Sequence, residues 1–145
     1  MRFWDSSALV ALLVEEPASG AVATLLAEDR SAVVWWGARV ECVSALRRRE
    51  RDGRLSAADV RVALGLLGDL SASWQEILAG EELRVSAERA LAVHKLSAAD
   101  ALQLAAALTW RGGSTPAGSL VCLDERLRDA ASREGLGLLP EALPT

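Results

Sequence analysis

The sequence predicts an α/β fold: a single three-layer α/β/α domain around a central, mainly parallel sheet of about four or five strands. Short apolar segments alternate with helical segments along the whole chain. These apolar segments show no polar alternation, which is typical of parallel strands that are covered on both faces. The length of 145 residues suits one domain with its own core. Neither a linker nor a low-complexity segment divides the chain.

The first half of the chain begins with a predicted short strand, RFW, which ends at Asp5. The segment SSALVALLVEE follows as a helix with an almost continuous apolar face, and AVATLLAED forms a second helical stretch. SAVVWW, at 31–36, is predicted as a buried strand that Gly37 ends. The segment ARVECVSALRRRERDG then continues as a helix that stops near Gly53.

The second half begins with a helix from Ser56 to about Trp74. The segment EELRVS is predicted as a short strand and AERALAVHKL as a short helix. The next helix runs from Ser97 to about Trp110, and GGSTPAGS is a loop rich in turn-forming residues. LVCLD is then predicted as a strand, ERLRDAASREG as a helix, and LGLLP as the final strand.

The charge of the chain restricts what it can bind. The formal net charge is −4, and affinity for phosphate comes from cations, so any role on nucleic acid needs a local basic patch. One cluster qualifies, RRRERDGR at 47–54, in which Arg47 and Arg48 are candidates for holding RNA phosphates. The same arginines are equally typical of a solvated helix end, where cations interact well with the helix dipole.

The sequence also predicts a compartment. Cys42 and Cys122 lie in apolar segments and at no metal-ligand spacing, so both are expected to be buried free thiols. The N-terminal segment lacks the layout of a signal peptide, because Asp5 interrupts it before the apolar run. The longest apolar run, 8–14, is too short to span a bilayer. We therefore expect a cytoplasmic protein without a membrane association.

Three acidic residues follow predicted strands. Asp5 and Asp124 each end a strand and precede a helix, and either one alone is well explained as a helix cap. Because ligands of parallel sheets bind beyond the carboxyl ends of the strands, the two carboxylates are also predicted to share one edge. Glu41 lies between apolar neighbours, early in the helix that is predicted to follow the strand at 31–36. Glutamate seldom occupies a buried setting without a partner, although a helical residue there can also face solvent.

The fourth acid belongs to a pentapeptide, LSAAD, that occurs at 55–59 and again at 96–100. Both copies look like helix starts, with a Ser N-cap and an acid at the third helical position. Polar residues recur after Asp59, so that aspartate is predicted to be a cap on a solvated helix. The segment after Asp100, ALQLAAAL, is apolar nearly all round, which indicates a buried helix. Asp100 is therefore predicted to belong to an interior site.

Four carboxylates in one cleft would repel one another and raise each other's pKa. A divalent cation reverses that cost, and carboxylate oxygens with retained water suit Mg²⁺ or Mn²⁺. Such an ion polarises phosphoryl oxygens and generates hydroxide from bound water. The residues alone therefore predict a metal-dependent phosphoesterase.

Four segments resemble, in order and spacing, the PIN-domain ribonucleases, and among these the VapC-type toxins of bacterial type II toxin–antitoxin systems. They are FWDSSALVALLVEE, VECVSALRRR, LSAADALQLAAAL and VCLDERLRDAASREGLGLL. The resemblance covers essentially the whole chain and implies one PIN-like nuclease domain over residues 1–145. It further implies a Mg²⁺- or Mn²⁺-dependent endoribonuclease, usually a homodimer, that a small antitoxin protein inhibits. The four family acids correspond to Asp5, Glu41, Asp100 and Asp124.

The resemblance suggests a role for each of these residues. Asp5 and Asp100 are expected to bind the metal directly, and Asp124 to contribute directly or through water. Glu41 is expected to orient or deprotonate the attacking water, and in-line attack would leave a 5′-phosphate and a 3′-hydroxyl, as the family implies. Ser7 stands where the family often has the second residue of a Thr-Ser pair. It is expected to bond a carboxylate or the substrate, and a plain helix-cap role is equally compatible.

Two other functions remain compatible with the sequence. A different acid-edge enzyme is one, although a haloacid-dehalogenase-type phosphatase would need an aspartate at position 7, which is Ser7. A phospho-accepting receiver would need a lysine on a late strand, and the single lysine is Lys95. The other is a non-enzymatic acidic α/β module that binds a protein partner, with all four acids as helix caps.

Overall fold

The computed structural model describes residues 1–114 and 118–145, without the side chains of residues 113 and 114. The described strands are β1 (Arg2–Trp4), β2 (Ala32–Trp35), β3 (Gln75–Ile77), β4 (Ser119–Val121) and β5 (Gly137–Leu139). The described helices are α1 (Ser6–Leu13), α2 (Ser19–Glu28), α3 (Ala38–Arg51), α4 (Ala57–Ser71), α5 (Glu81–Val93), α6 (Ala98–Ser114) and α7 (Glu125–Arg133). None of these helices is both long and apolar enough to cross a membrane.

The strands form one parallel sheet in the order β3-β2-β1-β4-β5. The chain builds the sheet outwards from β1 in one direction through β2 and β3, and in the other direction through β4 and β5. The order therefore reverses between β1 and β4. In open parallel sheets, the crevice for ligands opens at such a point, beyond the carboxyl ends of the strands.

Helices cover both faces of the sheet, which confirms the predicted three-layer α/β/α fold. Consecutive strand residues point to opposite faces, so that each inner strand supplies both cores. Helices α1 to α4 cover one face, and α5, α6 and α7 cover the other. The first core takes Trp4, Val34 and Val121 from the strands, and the second takes Phe3, Val33 and Leu120.

The predicted strand EELRVS, at 81–86, is wrong. These residues form the first turns of α5, which also includes most of the short helix predicted after them. The buried side chains of α5 are Leu83, Ala87 and Ala90. Their spacing of three to four residues is helical and holds the segment against α6, although Leu and Val alternate locally with polar residues. Two glutamates in the first turn suit the positive end of the helix dipole.

An edge strand and a loop also differ from the prediction. The strand β3 was not predicted, because its segment QEI is short, polar and largely exposed at the edge of the sheet. The predicted loop at 112–119 is wrong at both ends, since α6 continues to Ser114 and β4 begins at Ser119. Its central positions, 115–117, lie outside the described residues.

Candidate acidic active site

A cleft of ≈ 660 Å³ opens at the carboxyl ends of β1 and β4, where the strand order reverses. All four acids that the sequence suggested line this cleft. Each comes from the start of a different helix: Asp5 before α1, Glu41 in the first turn of α3, Asp100 in the first turn of α6, and Asp124 before α7. The parallel topology therefore brings together residues that lie up to 119 positions apart in the chain, from 5 to 124.

Asp5 is the most buried of the four acids, with 3% of its surface exposed. It caps α1, because its Oδ2 accepts hydrogen bonds from the Ser7 backbone N–H at 3.0 Å and from the Ser7 hydroxyl. Its own N–H donates to the carbonyl of Val121 at 3.0 Å, which fixes the aspartate against β4. Burial raises the pKa of Asp5; the bonds from Ser7 oppose that shift, and the charge of Asp100 adds to it.

Ser7 links the two chain segments that follow β1 and β4. Its hydroxyl donates to Asp5 and accepts from the backbone N–H of Leu123 at 2.9 Å. Leu123 lies in the short segment between β4 and α7, one residue before Asp124. The hydroxyl thus orients the Asp5 carboxylate and also holds the segment that carries Asp124.

Glu41 is partly buried and faces α6 from across the cleft. Its Oε2 accepts a hydrogen bond of 2.7 Å from the side-chain Nε2 of Gln103, which is 1% exposed. The pKa of Glu41 is raised to about 7: burial is the main cause, the charges of Asp5 and Asp100 contribute in the same direction, and the Gln103 amide opposes the shift.

Asp100 and Asp124 form the other side of the cleft. The backbone N–H of Asp100 donates to the Ser97 hydroxyl at 3.2 Å, so Ser97 caps α6. Asp124 caps α7, because its Oδ1 accepts from the Leu127 N–H at 2.9 Å. Partial burial raises the pKa of Asp100; Ser97 opposes that shift, and the charge of Asp124 adds to it.

The donor set fits a hard divalent cation in kind and in charge. It consists of carboxylates, and burial together with mutual repulsion raises the pKa values of Asp5, Glu41 and Asp100, a cost that a cation would remove. It is not a preformed cage: among residues 1–114 and 118–145, no three His, Cys, Asp or Glu side chains are arranged as a set of metal ligands. The acids thus match the chemistry of Mg²⁺ or Mn²⁺ without a finished coordination geometry.

The two candidate arginines for substrate binding lie in different places. Arg48 is exposed and lines the cleft. Arg47 is not among the cleft-lining residues and pairs with Glu50, with 2.9 Å between Nη1 and Oε2. Arg49 also lines the cleft, and it forms an ion pair with Glu16, another lining residue.

Gln103 is the site residue that the sequence analysis did not select. It lies on α6 three residues after Asp100, so both side chains project from one side of the helix. Its signal in the sequence is weak: it is the single polar residue in ALQLAAAL. Such a residue predicts a buried polar contact, but the partner, Glu41, lies 62 residues away.

Comparisons with known proteins give a similarity in fold. No family model matches the chain, and no curated protein matches it. Nine chains of solved structures match it. One belongs to a toxin–antitoxin complex from Klebsiella pneumoniae, with a TM-score of 0.63 over 99% of this chain and 99% of that chain. The sequence identity is 12%, so this similarity concerns the fold alone.

Proposed function

We propose that this protein is a metal-dependent endoribonuclease and the toxin of a type II toxin–antitoxin pair. The observation that carries the nuclease is the convergence of four carboxylates at the point where the strand order of a parallel sheet reverses. The toxin role rests on the sequence resemblance to VapC-type PIN domains. It is supported by the fold shared with a chain of a toxin–antitoxin complex.

In this proposal, Asp5 and Asp100 hold a Mg²⁺ or Mn²⁺ ion directly, and Asp124 contributes directly or through water. When bound, the ion supplies Lewis-acid polarisation of a phosphoryl oxygen and a lowered pKa of a bound water. The hydroxyl of Ser7 keeps the Asp5 carboxylate in one orientation. The caps that Asp5 and Asp124 form on α1 and α7 hold both side chains at the cleft.

Glu41 is the proposed general base. A base with a pKa near the working pH combines a sufficient ionised fraction with a useful proton affinity, and the pKa of Glu41 is raised to about 7. Its carboxylate takes the proton from the attacking water, and in-line displacement then leaves a 5′-phosphate and a 3′-hydroxyl. Arg48, on the wall of the cleft, binds a phosphate of the RNA strand.

The proposed partners are a cognate antitoxin protein and a second copy of the chain. Acidic side chains of the antitoxin would occupy Arg48 in place of RNA phosphate. Exposed apolar side chains on α5 support a contact between two proteins: Val85, Leu91 and Val93 are 56%, 44% and 59% exposed.

The testing experiment is cleavage of total RNA by the purified, antitoxin-free protein with Mn²⁺ or with EDTA. Asp5→Asn is the matched variant, since asparagine also caps helices well and removes the charge with little change of shape. We expect cleavage with Mn²⁺, none with EDTA, and a near-complete loss in the variant. Absence of cleavage by folded wild-type protein would reject the nuclease, and equal cleavage by the variant would reveal a contaminant.

One observation favours a second candidate function, the non-enzymatic protein-binding module. Asp5 and Asp124 do cap helices, as that function requires. Helix capping does not explain the burial of Glu41 against Gln103, nor the raised pKa of Asp100. If Mn²⁺ neither changes the Tm of the wild type nor supports RNA cleavage, the binding module becomes the better explanation.

A further inference from the structure

Gln103 has a buried side-chain amide of which the nitrogen is hydrogen-bonded and the oxygen is not. The side chain is 1% exposed in the second turn of α6, among alanines and leucines. Its Nε2 donates to Glu41 at 2.7 Å, whereas its Oε1 is buried and has no hydrogen-bond partner among the described residues. A buried carbonyl without a partner lowers the stability of a folded protein.

Packing alone does not account for this amide. A leucine or methionine would fill the same space on α6 and would leave no unpaired acceptor. The neighbouring positions, Leu104 and Ala105, are fully buried apolar residues of the kind that the core otherwise uses. The feature that distinguishes Gln103 from them is its bond to the Glu41 carboxylate.

That bond joins the two helical layers. Glu41 belongs to α3, which packs on one face of the sheet, and Gln103 belongs to α6, which packs on the other. The contact therefore passes beyond the carboxyl edge of the sheet, beside the cleft that Glu41 lines. It occupies Oε2 of the carboxylate, and Oε1 accepts no hydrogen bond from the described part of the chain.

We propose that Gln103 is a positioning residue for Glu41: its amide fixes one carboxylate oxygen, so that the other is presented to the attacking water. The catalytic part of this inference rests on the proposed nuclease function. The contact between Gln103 and Glu41 can be tested without it. Gln103 itself is buried and is not among the residues that line the cleft.

Other charged or titratable groups also act on Glu41. Asp5 approaches from the end of β1, Asp100 from α6, and the thiol of Cys42 is its neighbour on α3. Both aspartates disfavour the ionised form of Glu41, and the Gln103 amide is the side chain that favours it. Removing this amide leaves a partly buried carboxylate beside two other acids. The proton would then bind more tightly to Glu41.

The test that does not depend on activity is thermal unfolding of the metal-free protein in EDTA, from about pH 5 to about pH 9. The variants are Gln103→Met and a packing control on the same helix, Leu104→Met. Because the folded pKa of Glu41 is raised from 4.5 to about 7, its contribution to stability is lost as the pH rises between these values. In Gln103→Met the loss continues to higher pH. We expect the Tm of this variant to match or exceed that of the wild type at the acidic end and to fall increasingly below it above neutral pH.

A double-mutant cycle assigns the effect to this pair. In a Glu41→Gln background, Gln103→Met should change the Tm by the same amount at every pH, because the titrating group is gone. Leu104→Met should also give a pH-independent shift. A constant difference between wild type and Gln103→Met across the whole range would overturn the proposal, and so would a pH-dependent difference that persists in the Glu41→Gln background.

The kinetic test uses RNA cleavage with Mn²⁺. We expect Gln103→Met to lower kcat roughly tenfold near neutral pH, as expected for loss of a hydrogen bond to a charged group. KM should stay nearly constant, and the acid limb of the pH profile should move to higher pH. A loss of kcat with an unmoved acid limb would contradict the positioning role. If the wild type cleaves no RNA, the proposed nuclease fails, and the unfolding experiments still decide whether Gln103 holds Glu41.

Discussion

The two LSAAD segments have the same five residues and fold into the same local structure, but they lie in different surroundings. Each begins a helix: α4 after Ser56 and α6 after Ser97. The first copy forms a reciprocal capping box, in which Ser56 accepts from the Asp59 N–H at 3.0 Å and its own N–H donates to Asp59 at 2.9 Å. In the second, Ser97 accepts from the Asp100 N–H at 3.2 Å.

The electrostatic consequences are opposite. The hydrogen bonds from Ser56 lower the pKa of Asp59, which lies fully in solvent. Partial burial raises the pKa of Asp100, and the nearby charge of Asp124 raises it further. An identical pentapeptide therefore provides a helix cap at one position and a cleft carboxylate at the other. What separates them is the position of each helix relative to the carboxyl edge of the sheet.

The largest expected difference between the two copies is in catalysis. We expect Asp100→Asn to reduce metal-dependent RNA cleavage on the order of a hundredfold or more, because it removes a negatively charged ligand from the ion's site. The matched variant Asp59→Asn should cleave RNA at nearly the wild-type rate. Initial rates of cleavage with Mn²⁺ measure both. Similar losses of cleavage in the two variants would mean that Asp100 has no special role in catalysis compared with Asp59.

The second difference concerns metal-free stability. Asp100→Asn should raise the Tm in EDTA at neutral pH, because it removes a charge from a group of mutually repelling acids. Asp59→Asn should lower the Tm, because the capping box loses a charged acceptor. Mn²⁺ should raise the Tm of the wild type and of Asp59→Asn, with little effect on Asp100→Asn. A lower metal-free Tm for Asp100→Asn would show that this carboxylate stabilises the fold.

The third difference is in pH dependence. The carboxylate of Asp59 stabilises the fold above its usual pKa of 3.8, and this contribution is lost as the pH falls. Acids with a raised pKa act in the opposite direction, and Glu41 should cost stability as the pH rises from 4.5 to about 7. Allowing for its partial exposure, we expect Glu41→Gln to recover no more than about 2 kcal/mol at neutral pH. Urea unfolding of the wild type and of Glu41→Gln at the two ends of this pH range measures the gain in the free energy of unfolding. An equal gain at both ends would exclude titration of Glu41 as the cause.

The smallest difference concerns the two serine caps. Ser56→Ala should cost about 1 kcal/mol, as for other N-cap substitutions. Ser97→Ala removes a bond of similar kind and should in addition raise the pKa of Asp100, because Ser97 lowers it. Chemical denaturation gives the first effect, and the pH dependence of metal-free unfolding gives the second. A loss of stability in Ser97→Ala that is the same at every pH would make this serine a cap like Ser56.

Most of the fold followed from the sequence because the inner strands are continuous apolar segments, and such segments indicate a parallel sheet. Parallel topology then placed Asp5 and Asp124 at one edge with no further information. The sequence analysis went wrong where local patterns are ambiguous. In EELRVS, Leu83 and Val85 alternate with polar residues as in a strand. The segment nevertheless forms the start of α5, because Leu83 packs against the neighbouring helix.

Two further features had no adequate local signal. The edge strand β3 has few buried side chains, so its sequence lacks the apolar run that marks the inner strands. The contact between Gln103 and Glu41 joins residues from opposite layers of the fold. The sequence predicts that a buried amide needs a partner, but that partner is identified only by the packing of α3 and α6 on opposite faces of the sheet.

The position of β1 beside β4 also bears on the synthesis of the protein. Asp5 is translated well before β4, yet its N–H donates to the carbonyl of Val121, and the Ser7 hydroxyl that supports it accepts from the N–H of Leu123. A nascent chain that ends before β4 therefore lacks both the neighbouring strand and Asp124. The acidic cleft is completed only after β4 and Asp124 have been translated. Translation products that stop before β4 would leave the site unformed, so the order of the strands in the chain delays the appearance of the complete cleft.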